Sequence, residues 1–353
     1  MSEPGRRWTG HPLVQLTRVR YREFFREPEA VFWVFIFPVL LAAGLGIAFR
    51  NRAADRTGVA VVTTGSQAAQ LADALRRADG LDVSLLTDSA ASEALRIGNV
   101  AMVVVPSASG QVEYRYDDSR PESRTARLLV DDVLQRAAGR RDPLAVRDQL
   151  VRERGARYID FLVPGLLGMN LMGSGIWGLG FAIVDARKKR LLKRLIATPM
   201  SRAQYLASFV LSRLTLLVIE VSLLLGFGVL VFGVPLRGSL PLLVTICLVS
   251  SLAFASLGLL IASRAQTMEG ASGLMNLVML PMWIFSGVFF SASRFPEQIQ
   301  PFIQALPLTA VIDALRANIL RGAGWHMITG DLAIIMAWMI GSFVLALKLF
   351  RWR

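Results

Sequence analysis

The sequence predicts an α-helical integral membrane protein: six transmembrane helices, a small α/β extracytoplasmic domain inserted between the first and second, and a re-entrant helix pair before the sixth. Three observations lead there. Hydrophobic residues make up 54% of the 353 positions, and the excess lies in uncharged runs of the about 20 residues that a helix needs to cross a bilayer. Residues 50–157 break that pattern with seventeen arginines, fifteen acids and no lysine, the balance of a water-facing domain. The formal net charge is +13, and most of the localised basic excess flanks apolar runs. That is the positive-inside pattern and not a nucleic-acid stripe, so no nucleic-acid partner is expected.

Residues 1–30 are polar and basic, with Arg6, Arg7, Arg18, Arg20, Arg22 and Arg26. Leu13, Leu16, Val19, Phe24 and Phe25 share one broad helical face, which predicts an interfacial helix on the cytoplasmic leaflet, its arginines near lipid headgroups. Residues 31–49 form the first transmembrane helix. This run starts too late and is too long for a cleavable signal, so it reads as an uncleaved anchor. Pro38 is expected to kink it, which a membrane helix tolerates when a neighbour satisfies the freed backbone groups.

In the inserted domain, residues 58–62, 82–86, 99–105 and 111–116 read as strands, and residues 67–78, 90–98, 121–138 and 143–156 as helices. Strands alternating with helices predict a small α/β fold. It carries no Gly-rich phosphate loop, metal cluster or nucleophile motif, so it reads as a recognition or gating domain.

Five further spans follow at residues 161–184, 206–234, 238–263, 270–293 and 327–347, giving a transmembrane core over 158–353. Six spans put both termini on one side, and the basic flanks make that side cytoplasmic, in a multi-pass protein of the cell (inner or plasma) membrane. Residues 294–323 are amphipathic and read as too polar to span. Pro301 and Pro307 divide them into two short helices, a re-entrant or interfacial pair at the outer face, where Asp313 and Arg316 stand three apart and can pair.

Chemistry-bearing residues are sparse. Cys247 is the lone cysteine, His11 and His326 are far apart, and no metal site is expected. Ser174 with His326 has nothing to orient the histidine, so no catalytic residue is assigned, and Gly173-Ser174-Gly175 reads as small residues for close helix packing. Asn170 and Asn276 are expected to make interhelical hydrogen bonds. Glu220, with Arg213 two turns before it, is an intramembrane charge that either pairs structurally or carries ions.

Between two apolar runs, residues 185–202 pack six Lys/Arg into eight positions and hold three of the four lysines. At helical spacing Leu191, Leu192, Leu195 and Ile196 form an apolar stripe beside Arg187, Lys188, Lys189, Arg190, Lys193 and Arg194, and Thr198-Pro199 ends the helix. Such a stretch either only fixes topology or touches a cytoplasmic partner.

This order of elements resembles the permease subunit of type-2 ABC transporters, the ABC-2 family, over nearly the whole chain. The resemblance is carried most specifically by Leu195-Ile-Ala-Thr-Pro199 followed by Ser201 and Arg202, and by Leu306-Pro-Leu-Thr309 followed by Asp313, Leu315 and Arg316. It implies that residues 185–202, with Arg187, Lys188, Leu191, Leu192, Leu195, Ile196, Thr198 and Pro199, are a coupling helix on a separate ABC ATPase subunit. It also implies pairing with a second permease copy or a related permease. No cofactor is expected on this chain; ATP and Mg belong to the partner subunit, and no lysine here follows a glycine as an ATP-binding loop requires. The chain is therefore expected to be a transport subunit and not an enzyme, moving a drug, lipid, ion or glycolipid. The alternatives are a secondary transporter using Glu220 and a membrane receptor with an external sensor domain.

Overall fold

Long apolar helices and one strand-rich stretch divide the chain into two units, residues 1–50 with 152–353, and residues 51–151. The computed structural model describes residues 12–50, 56–64, 67–107, 111–141, 143–144, 155, 157–188, 202–265 and 267–349.

The strand-rich unit is an α/β fold: β1 (Thr57–Val62), α3 (Ala68–Arg76), β2 (Leu81–Leu86), α4 (Asp88–Ile97), β3 (Met102–Pro106), β4 (Val112–Tyr116) and α5 (Pro121–Ala137), where α1 and α2 precede it in the chain. The four strands lie in the order β2-β1-β3-β4, with β1 parallel to β2 and β3, and β4 antiparallel to β3. Gly58-Val-Ala-Val-Val62 is apolar at every step because β1 is covered on both faces. Val59 and Val61 pack with α3 and α5 through Ala72, Leu75, Ala126 and Val130, while Ala60 and Val62 meet Ala91 of α4. A fully buried leucine such as Leu75 contributes about 2 kcal/mol by leaving water. Thr87 caps α4 by accepting from the Ala90 N–H, and Gly98 ends it at φ 80°, a left-handed conformation that glycine adopts without strain. The expected helix over 143–156 falls largely outside the described residues.

The helical unit begins with α1 (Pro12–Arg26). Next, α2 runs Pro28–Val31, passes through a π-turn at Phe32–Ile36 and continues Phe37–Arg50. It resumes with α6 (Tyr158–Lys188), α7 (Arg202–Phe232), α8 (Leu240–Arg264), α9 (Met268–Phe285), α10 (Gln300–Ala305), α11 (Pro307–Arg321) and α12 (Thr329–Leu349). The 31-residue α6 is the hub, packing against α2, α7, α8, α9 and α11. In a bilayer apolar side chains gain little by choosing a helix over lipid, so close packing has to hold the helices together. Glycines permit it: a Cβ at Gly258 would sit 2.6 Å from the Ile176 carbonyl oxygen, and one at Gly175 would sit 2.7 Å from Phe254 Cβ.

Five helices are long and apolar enough to cross a membrane, at Pro28–Phe49, Tyr158–Asp185, Leu211–Phe232, Leu240–Arg264 and Thr329–Leu349. Two further helical segments lie between α8 and α12. The fifth expected span, 270–293, contains the 18-residue helix α9, about 27 Å long at the α-helical rise and within the about 17–25 residues that transmembrane helices use. The expected pair of short helices before the last span is present, bent by 84° between Glu297–Ala305 and Pro307–Arg321, and taken together is long and apolar enough to count as a broken span or a re-entrant loop. Leu306 makes that bend: it is extended at φ −69°, ψ 136°, as a residue before proline is driven to be. Nor is α11 a surface helix, since 11 of its 15 residues are buried.

Candidate functional site

The site grows from a proline. Pro38 has no N–H, so it cannot give the carbonyl of Val34, four residues earlier, its helical hydrogen bond. The helix responds with the π-turn at Phe32–Ile36, where the Phe37 N–H reaches back to the Phe32 carbonyl. The carbonyl that Pro38 cannot serve finds a donor on another helix: Asn170 Nδ2 of α6 donates to Val34 O at 3.1 Å. Asn170 is buried and thus makes the interhelical bond expected of it.

One turn on, Ser174 bonds back to the Asn170 carbonyl at 2.7 Å. The same hydroxyl lies 3.0 Å from Glu220 Oε2 and accepts from Arg213 Nη2 at 2.5 Å, both on α7. Arg213 Nη1 donates to Glu220 Oε1 at 2.9 Å. Seven residues separate the two on one helix, a rise of about 10 Å that the long arginine side chain spans alongside the axis. Glu220 is 2% exposed, so its charge needs these partners, and one guanidinium offsets one carboxylate. Val34, Asn170, Ser174, Glu220 and Arg213 therefore form one polar line across α2, α6 and α7. Ser174 sits in it as a hydrogen-bonding member, whereas the sequence reading treated it as a small packing residue. The arrangement can hold three helices in register; among the described residues no group of three or more metal-ligating side chains occurs.

A second polar cluster lies at the other end of α6. Arg316 of α11 donates through Nη2 to the carbonyls of Phe161, at 3.2 Å, and Gly287, at 2.6 Å. Its guanidinium stacks 3.5 Å above the Phe161 ring, a cation–π contact. The expected Asp313–Arg316 pair does not form, because burial between α6 and the turn after α9 commits Arg316 to carbonyls, while Asp313 is exposed. Asn276, expected to bond between helices, lies exposed on α9 and makes no interhelical hydrogen bond among the described residues, since Ala271, Met275, Met279 and Met282 form the buried face. Pro301 and Pro307 occupy the first turns of α10 and α11, where a missing N–H costs nothing. Tyr158 and Phe161, which no sequence motif marked, join the start of α6 to this end; Tyr158 donates its hydroxyl to Phe289 O at 3.0 Å.

Of the expected coupling stretch, Arg187 and Lys188 close the backbone of α6, whereas Leu191, Leu192, Leu195, Ile196, Thr198 and Pro199 lie outside the described residues.

Residues 29–348 match the family model described as ABC-2 family transporter protein. Among curated relatives, the chain is 28% identical over 176 residues to the inner membrane transport permease YhhJ of Escherichia coli, covering 49% of this chain and 46% of that protein. It is 28% identical over 174 residues to the linearmycin resistance permease protein LnrN of Bacillus subtilis, covering 49% and 45%. It is also 28% identical over 189 residues to ABC transporter G family member 20 of Dictyostelium discoideum, covering 52% and 26%. In each case the match spans less than half of the relative's length. With its long apolar helices and a family match across most of its length, the chain is a multi-pass membrane protein that belongs to the ABC-2 transporter family.

Proposed function

We propose that this chain is the permease subunit of an exporter whose ATP and Mg are bound by a separate ATPase subunit, docked on residues 185–202. The observation that carries this reading is the family match from the first span to the last turn of α12. The working unit in this reading holds two ATPase subunits and two permeases, the second being another copy or a related chain. ATP-driven closure of the ATPase pair pushes on the coupling helices and switches access between the permease halves, a bistable element biased by ATP binding. Both termini are cytoplasmic and the α/β domain is outside. The name of LnrN, a linearmycin resistance permease, favours a drug as the class of cargo. Against a secondary transporter, the carboxylate of Glu220 is already matched by Arg213 and Ser174.

The test is on the apolar stripe. Buried apolar anchors carry more interface energy than rim charges. Leu195→Asp is expected to detach the ATPase or abolish its coupling, and Lys188→Ala to leave both nearly unchanged. Co-purification of the ATPase with the tagged chain, and ATP hydrolysis by the complex, measure this. Intact assembly and coupling in Leu195→Asp would remove the coupling-helix assignment.

A further inference from the structure

We propose that Arg18, Arg22 and Arg26 on α1 form a binding surface for the headgroups of anionic phospholipids. The spacing of four residues lines the three guanidinium groups along one side of the helix, about 6 Å apart in rise. All three are exposed. The ion pair on α1 is Arg20 with Glu23 at 3.1 Å, so the stripe itself is unpaired among the described residues. The opposite side of α1, where Thr17 is buried, packs against α7, and the stripe faces away from the protein.

The surroundings of the stripe match a membrane surface. Val19 is 49% and Phe25 55% exposed beside the arginines, apolar groups that an acyl-headgroup boundary accommodates. The depth is set by contacts to the first span. The Phe24 ring meets Phe35 of α2 edge-on at 5.8 Å, and Trp33, 59% exposed, lies against Phe37 with 4.7 Å between ring centroids and the planes tilted by 55°. An exposed tryptophan at the start of an apolar helix marks the level of the headgroups. Arg26 stands seven residues before it.

The attraction is local to the stripe and not a property of the whole segment. Glu23, Glu27 and Glu29 leave residues 18–29, with four arginines, a net charge of only +1 (4 − 3). Recognition rests on the row of guanidinium forks, each able to hold a phosphate through two N–H donors. The surface selects a lipid phosphodiester with net negative charge over a zwitterionic one.

The experiment uses the purified full-length chain in neutral detergent and fluorescent phosphatidylglycerol, read by anisotropy, with phosphatidylcholine as the zwitterionic comparison. The wild-type chain should prefer phosphatidylglycerol. A cationic side chain near an anionic lipid surface is worth about fivefold in affinity, so Arg18→Gln with Arg22→Gln and Arg26→Gln should lose roughly a hundredfold. Arg22→Gln alone should lose about fivefold, which keeps the test open if the triple variant folds poorly. A charge-matched variant elsewhere, Arg76→Gln with Arg96→Gln and Arg136→Gln, should bind as wild type does. Equal affinity in the stripe and wild-type chains, equal loss in the charge-matched variant, or full displacement by inorganic phosphate would overturn the proposal. So would loss of a co-purifying protein from the stripe variant while phosphatidylglycerol binding persists, since the surface would then dock protein.

Discussion

Asn170→Leu removes the donor that reaches the Val34 carbonyl, and Pro38 ensures that the helix's i+4 amide cannot replace it. An interhelical hydrogen bond in a membrane protein is worth about 0.6 kcal/mol on average and up to about 1.7. Leaving a buried carbonyl without a donor costs about 1–3 kcal/mol. The expected loss is therefore about 1.5 kcal/mol, near the upper part of the first range, because the alternative donor is absent by covalent structure. Pro38→Ala restores an N–H to position 38 and lets Val34 bond within its own helix. In that background Asn170→Leu should cost less than half as much, a coupling of about 1 kcal/mol between residues on different helices. The bond from Ser174 goes to the Asn170 backbone carbonyl and not to its side chain, so neither substitution should disturb the Arg213–Glu220 pair. Unfolding of the four proteins of this cycle in mixed micelles measures the coupling. If Asn170→Leu costs the same with and without Pro38, the hydrogen bond does not repair the proline, and the reasoning fails.

Three further outcomes follow from the same geometry. Glu220→Gln leaves the Arg213 charge without its counter-ion and should destabilise by about 3 kcal/mol, the low end for breaking a buried pair because Arg213 is 21% exposed, yet ATP-driven transport by the assembled complex should continue; complete loss of transport with normal assembly would give Glu220 an ion-carrying role. Gly258→Ala forces a methyl group towards the Ile176 carbonyl and should cost about 1–3 kcal/mol, whereas Gly178→Ala, with open space around it, should be neutral or slightly stabilising; thermal unfolding of both variants checks the order. Cysteines at Ala90 and Ala186 in a Cys247→Ser background should react with a membrane-impermeant reagent from opposite sides, and labelling of both in intact cells would end the six-span arrangement.

Much of the architecture was legible because its signals are local. Apolar runs named the long helices, period and turn residues named the elements of the α/β unit, and Gly98 and Pro106 marked where a helix and a strand stop. Over 268–321 the pair of short helices broken at Pro307 was legible, whereas the burial of α11 was not. There the end of α9 depends on a turn at Gly287, φ 78°, and the burial of Arg316 on α11 is met by the carbonyls of Phe161 and Gly287.

By itself the sequence determined the positions of the long apolar helices and of the α/β domain among them, and it set Arg213 and Glu220 two turns apart on one helix. It also implied an orphaned carbonyl at position 34, since any proline within a helix creates one four residues upstream. Only the tertiary structure decided who answers that carbonyl. Asn170 and Asn276 are the same residue type in similar apolar surroundings, yet one is buried against the π-turn and the other faces outward from α9. Likewise Arg316 is drawn from its sequence neighbour Asp313 to Phe161 and Gly287, far away in the chain. Hydrogen-bonding capacity is written in each residue, but the partner is set by which helix faces pack together, and that is a property of the whole fold.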